Sequence, residues 1–313
     1  MADRSRALRA AGFVALVTAW GFNYLFVRFG LTLSAPVWLA FLRAGVGAAG
    51  ALAITVAARS PQRLDGPGRR DALLLGLLNT ALFFGLWTVA AGAILPGEVA
   101  TLIYTFPIWV ALLSAPILGH RLAGRHWAAI AGAFVGVALL SQPWGGGANL
   151  APWALGLLLA AAISWAIATV LMQRRFAPAV IQEANSFQLL GGAGALLVAA
   201  LVTEPTGVPA LSWPLIGSVL WLGLVGTAFA YAVWFHLLAR TRAATLSAYV
   251  FLVPIVALAA SALLYAERLD LTQLAGVGLV VVAIYLIGRD APRGRPARDG
   301  TPGDAPPVQE PAA

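Results

Sequence analysis

Ten apolar runs follow one another along this chain, at 10–28, 36–58, 72–94, 97–118, 126–142, 152–172, 184–203, 214–238, 244–265 and 271–288. A bilayer's hydrocarbon core accepts a helix of about 20 mostly apolar residues. Runs of that length, separated by short gaps rich in Gly, Pro or Arg, predict an all-α membrane protein of ten transmembrane helices. Composition agrees. Charged residues make up 10% of the 313, whereas a soluble domain uses about 25% to cover its surface. The chain's main solvent is therefore lipid.

Charge placement predicts orientation. Short loops on the cytoplasmic side carry an excess of Arg and Lys. All basic side chains here are arginines, 20 in number. With the N-terminus inside, Arg4, Arg6, Arg9, the 59–71 loop, Arg121, Arg125, Arg174, Arg175, Arg240, Arg242 and the tail arginines are cytoplasmic. Only Arg28 and Arg268 fall outside, and Arg43 lies within a span. The N-terminus and C-terminus are both expected inside. The basic residues are dispersed between apolar runs, which argues against a nucleic-acid partner. The chain contains no cysteine, so disulfides, thiol chemistry and cysteine metal sites are excluded. No histidine pair has metal-ligand spacing, no ATP-binding motif appears, and no cofactor is expected. The partners expected are a small-molecule substrate and the lipid bilayer, with the proton as a candidate coupling ion. The protomer is expected to be a monomer or a homodimer.

The two halves match at an offset of 147 residues. Leu75–Leu77 aligns with Leu222–Leu224, Thr80 with Thr227, Trp87 with Trp234, Pro107 with Pro254, and Arg121 with Arg268. Offsets of 145 and 146 pair Trp20 with Trp165 and Phe41 with Phe187. Each half holds five spans, and an odd number forces the second half to enter the membrane from the other side. Inverted-topology repeats are a mark of secondary transporters, with the binding site near the midplane between the halves. The organisation expected is a cytoplasmic tail (1–9), a first repeat (10–142), a linker (143–151), a second repeat (152–288) and a disordered cytoplasmic tail (289–313).

The segment from Val225 to Arg240, then Leu252–Val256 with Pro254, then Ala266–Leu269, resembles the second repeat of EamA-like proteins of the drug/metabolite transporter superfamily. Trp20 with Gly21, Pro36, Arg43 and Pro107 are similar to the first repeat. The resemblance covers roughly residues 11–288. It implies export or exchange of a small organic solute, such as an amino acid or a drug-like compound, across the bacterial inner membrane. It does not name the substrate. In one respect the chain departs from the pattern: His120 stands where the first repeat of the family often has glutamate, which survives here only as Glu267.

Candidate substrate-binding residues sit on helix faces set by 3.6-residue spacing. They are Trp20, Asn23 and Tyr24 in the first span, Asn79 and Trp87 (with Phe83) in the third, and Tyr104 in the fourth. Trp165 in the sixth and Tyr231 and Trp234 in the eighth complete the aromatic set. The bland reading of each is packing between helices or an interfacial belt. Arg43 is the charged candidate. An intramembrane arginine is expensive unless paired or hydrated, so it either receives a substrate carboxylate or bonds backbone carbonyls. Glu98 either complements the dipole of the helix it opens or carries the coupling proton. Pro107 and Pro254 are hinges or static kinks. A lipid flippase and a membrane enzyme acting on lipid are the alternatives to a transporter. The enzyme reading suffers from the scarcity of clustered acids, bases and nucleophiles.

Overall fold

The computed structural model describes residues 2–59, 62–93, 99, 102–119, 122–141, 151–265 and 270–289. Among them there is no strand. The helices are α1 (Ala2–Gly30), α2 (Pro36–Ala57), α3 (Gly66–Ala91), α4 (Phe106–Leu118), α5 (Gly124–Ser141), α6 (Pro152–Arg175), α7 (Ile181–Thr203), α8 (Trp213–Leu238), α9 (Ala243–Tyr249), α10 (Leu252–Tyr265) and α11 (Leu271–Arg289). Six of them, α1, α2, α3, α6, α7 and α8, include a stretch long and apolar enough to cross a membrane, and shorter apolar helices accompany them. Large apolar side chains such as Val198, Val202, Leu220 and Leu224 are exposed on the outer surface. That surface suits lipid and would be a liability in water.

Local chemistry starts and stops these helices. Asp65 accepts from the Gly68 amide at the head of α3, and Ser212 from the Leu215 amide at the head of α8. Each hydroxyl or carboxylate satisfies an amide the first turn leaves open. Proline occupies the first turn of α2, α3, α6 and α8, where its missing N–H costs nothing. The Glu204 carboxylate, beyond the end of α7, accepts from the Val37 and Trp38 amides and so caps α2 across the bundle. Gly119, at φ 70°, closes α4 in the left-handed conformation.

Two features depart from the expected run of plain α-helices. The third and eighth spans contain π-helical segments, Leu77–Leu82 and Trp221–Phe229. A π turn offsets the backbone ladder and offers carbonyls to neighbours. Ser164 of α6 donates to the Leu78 carbonyl, and Trp20 and Asn23 of α1 donate to the Gly226 carbonyl. Pro107 and Pro254 also differ from their expected place in mid-helix. They sit in the first turn of α4 and α10, just after short turns at 104–105 and 250–251. Bonds of three-residue span, from the Thr105 amide to Leu102 and from the Val253 amide to Val250, bridge those breaks.

Packing pairs α2 with α7 and α5 with α11. It also sets α3 on α7 and α2 on α8, α4 on α6 and α1 on α10, and α3 on α6 and α1 on α8. Glycines permit the closest approaches. A Cβ on Gly47 would lie 2.6 Å from the Thr227 side chain, and one on Gly192 would lie 2.2 Å from that of Thr80. These two contacts are related by offsets of 145 for the glycines and 147 for the threonines. The α2/α7 pair is thus in register at 145 in space, one residue from the Phe41–Phe187 match.

Candidate functional site

Where α1, α2, α3, α6 and α8 converge with the breaks at 103–104 and 250, they leave a partly open cavity of about 40 Å³. Trp20, Asn23, Tyr24, Arg43, Trp87, Tyr104, Trp165 and Tyr231, all anticipated from the sequence, line it. Phe83, also on the aromatic face of α3, joins them, as do Ile103 and Val250. The last two escaped notice because an isolated aliphatic residue carries no polar signal. Each stands four residues before one of the paired prolines, and they are related by the 147-residue offset. Two expected residues lie elsewhere. Trp234 is fully buried behind the wall, its ring 5.5 Å from Trp20 and 5.9 Å from Trp165. Asn79 is fully buried, with neither amide atom hydrogen bonded. Glu98 lies outside the described residues, as do His120, Glu267, the linker 143–150 and the tail from 290.

The Arg43 guanidinium is the site's distinctive group. It is 2% exposed. Its Nε donates to Thr227 Oγ1 at 3.0 Å, and the Thr227 hydroxyl in turn donates a hydrogen bond to the Leu222 carbonyl at 2.8 Å. The guanidinium carbon lies 4.0 Å over the Phe84 ring and 5.0 Å from that of Trp87. Aromatic faces stabilise a cation here without neutralising it. Nη1 has no hydrogen-bond partner, and among the described residues no carboxylate pairs with this arginine. A buried acid that sequence reasoning passed over, Glu183, sits at the head of α7. It accepts from the Leu64 amide and pairs with Arg69 at 3.5 Å, tying the loop after α2 to α7.

The opposite wall is a stack of rings. Phe106 lies 3.8 Å from Trp165, nearly parallel, and Phe83 stacks on it at 4.8 Å. Trp20 meets it edge-on at 5.4 Å. Unpaired donors face this region from Trp87 Nε1, Trp165 Nε1 and the Tyr231 hydroxyl, and the Asn23 Oδ1 acceptor is also unpaired. Among the described residues no group of three acidic or histidine side chains could hold a metal. The arrangement has no nucleophile–base pair. What it can do is recognise a small molecule with an apolar or flat body and hydrogen-bond acceptors.

The profile of the EamA-like transporter family matches residues 9–142 and again residues 152–289. The chain belongs to the EamA-like transporter family. It is a multi-pass membrane transporter and not an enzyme. The chain is similar to the uncharacterized transporter YvbV of Bacillus subtilis, 29% identical over 275 residues, covering 87% of this chain and 88% of that one. The inner membrane transporter YedA of Escherichia coli K12 is 28% identical, covering 87% and 88%. A Salmonella typhimurium protein named a probable amino-acid metabolite efflux pump is 30% identical over 292 residues, covering 89% and 94%. A solved crystal structure of 20% identity superposes with a TM-score of 0.73 over 90% of this EamA-like chain and 98% of the other, which shows a shared fold.

Proposed function

We propose that this EamA-like protein is a secondary transporter of the bacterial inner membrane that exports or exchanges a small organic carboxylate, with Arg43 receiving the carboxylate. The observation that carries this reading is the buried guanidinium with a free Nη1 in an aromatic cavity. A buried cation is costly, and a carboxylate that accepts its remaining donors offsets that cost with charge-assisted bonds. The aromatic walls fit the apolar body of the solute, and the Trp and Tyr donors fit its remaining acceptors. The relative named as an amino-acid metabolite efflux pump is consistent with this class of cargo.

The mechanism proposed is alternating access between two inverted five-helix repeats, with both termini cytoplasmic and a gradient as the energy source. Several observations support the repeat. The two matches to the family profile span one half each. The π segments overlap at the 147-residue offset, as do the caps Asp65 and Ser212. Exchanging the halves also maps the packing pairs onto one another, α4–α6 onto α10–α1 and α3–α7 onto α8–α2. A carboxylate at position 98 is the candidate for proton coupling, and the breaks before Pro107 and Pro254 are the candidate hinges.

The test is metabolite profiling of spent medium and cell extract from a bacterial host. Wild type, Arg43→Gln and empty vector are compared. An organic acid that accumulates outside only with wild type supports the reading. If accumulation is unchanged by Arg43→Gln, the carboxylate assignment fails. If the solute that accumulates is an uncharged lipid, the flippase alternative replaces it.

A further inference from the structure

The cavity has a shadow in the other half. The repeat relates Tyr24 to Thr169, Arg43 to Gln188 and Trp87 to Trp234. Hydrogen bonds support that register: Arg43 Nε donates to Thr227 at 3.0 Å, and Thr80, the mate of Thr227, donates to Gln188 Oε1 at 3.2 Å. Close glycines sit beside both pairs, Gly47 against Thr227 and Gly192 against Thr80. Around Arg43 the helices stand apart and leave space. Around Gln188 they are closed, and Thr169, Gln188 and Trp234 are all 0% exposed.

The closed region around Gln188, which draws on both repeats, nonetheless carries polar atoms that nothing satisfies. Thr169 Oγ1 and Trp234 Nε1 have no hydrogen-bond partner, and neither has either amide atom of Asn79 in the π segment beside Thr80. Buried polar groups almost always find partners. Unpaired ones on the elements that the repeat relates to the cavity point to a state in which a ligand or water reaches them.

We infer that the closed region holds a second, uncharged binding place for the transported solute, built from Thr169, Gln188 and Trp234. It opens when the cavity beside Arg43 closes. This inference rests on the transport reading above and deepens it. The first place grips the carboxylate with a guanidinium, and the second offers only neutral hydrogen bonds, from a hydroxyl and an indole beside the Gln188 amide, whose Nε2 donates to Asn185 Oδ1 at 3.0 Å. The solute is the same organic carboxylate in both, held more loosely in the second.

The absence of native cysteine makes the test direct. Tyr24→Cys and Thr169→Cys, each a single thiol in the full chain, are treated with a membrane-impermeant methanethiosulfonate reagent. The reagent is applied from one side in intact spheroplasts and from the other in inside-out vesicles. Opposite-side reactivity is expected, with Tyr24→Cys labelled from the periplasmic side and Thr169→Cys from the cytoplasmic side. Labelling of both from the same side, or of Tyr24→Cys alone, overturns the second place. If neither reacts from either side, the cavity is not on a path through the membrane, and the transport reading itself falls. Protection by 3-phenylpropionate and by its neutral amide then probes the chemistry. The acid is expected to protect Tyr24→Cys at least tenfold more strongly than the amide, and the two are expected to protect Thr169→Cys within threefold of each other. A tenfold preference for the acid at Thr169→Cys overturns the uncharged assignment. Equal protection by acid and amide at Tyr24→Cys, or protection by neither, counts instead against Arg43 as the carboxylate anchor.

Discussion

At the scale of single residues, Arg43 decides most. The sequence shows an arginine inside an apolar run, and bilayer energetics make it conspicuous. Its partners are out of reach of any such reading, because Thr227, Phe84 and Trp87 come from other helices. Loss of the guanidinium in Arg43→Gln is expected to raise the apparent KM for a carboxylate solute at least tenfold, about 1.4 kcal/mol, in uptake by proteoliposomes. Arg43→Lys is expected to recover little of it, since an ammonium lacks the planar fork and the ring-stacking face. Thr227 orients the arginine without facing the solute. Thr227→Val, which keeps the shape and removes the hydroxyl, is expected to weaken solute affinity several-fold with little change in maximal rate. A hydrogen bond to a charged group is worth about 1.5–3 kcal/mol, part of which the solute would recover. Thr227→Ser is expected to behave as wild type. Equal loss in the valine and serine variants would make the role one of packing. The aromatic and polar candidates were legible by type and spacing, and eight of the ten line the cavity. Trp234 and Asn79 could not be told from the rest, because helical periodicity gives a face and not the depth at which that face is covered.

At the scale of elements, apolar run length anticipated the apolar helices, while the prolines and caps at their starts emerged only with the structure. The π segments were not legible. Leu77–Leu82 and Trp221–Phe229 consist of residues that suit an α-helix equally well, so the wider turn is selected by neighbours. The Ser164 hydroxyl and the Trp20 indole bond carbonyls there, and glycines admit the adjacent helix. Gly76 is the sharpest case. A Cβ on it would lie 2.0 Å from the Gln188 carbonyl oxygen, whereas one on Gly217 would meet nothing within 4 Å. Gly76→Ala is therefore expected to lower thermal stability in detergent, by the 1–3 kcal/mol that overpacking typically costs. Gly217→Ala is expected to leave the melting curve unchanged. Size-exclusion chromatography after a temperature series reads both. Similar curves for the two variants would mean that α3 and α7 are not held as closely as described. The breaks before Pro107 and Pro254 teach a related lesson. A proline in an apolar run signals a discontinuity, but whether it kinks a helix or begins a new one depends on what packs against the preceding turn.

At the scale of the whole molecule, arginine counting predicts both termini inside. A C-terminal fluorescent protein, which matures only in the cytoplasm, is expected to fluoresce, and a C-terminal alkaline phosphatase is expected to be inactive. The reverse result would invert the topology and exchange the sides in the accessibility experiment. Coupling is tested at Glu98. In proteoliposomes, Glu98→Gln is expected to abolish transport driven by a pH gradient while retaining exchange of solute for solute. If gradient-driven transport survives, the carboxylate serves the helix dipole instead. Repeat symmetry was visible in sequence as shared Trp, Pro and Thr at one offset. The symmetry also exposes what differs between the halves, with arginine in one and glutamine at the related place in the other.

Sequence alone determined that the chain lives in a membrane, that it is built of apolar helices, and which family it resembles. These follow from run length, charge and local spacing, all of which are properties of neighbouring residues. Only the tertiary structure decided which side chains meet, that Arg43 keeps a free donor, that two spans carry π turns, and that a cavity stands beside Arg43 while the related place around Gln188 is closed. Those outcomes depend on contacts between residues more than a hundred positions apart. In such contacts a single glycine or hydroxyl selects among arrangements that apolar patterning leaves equivalent.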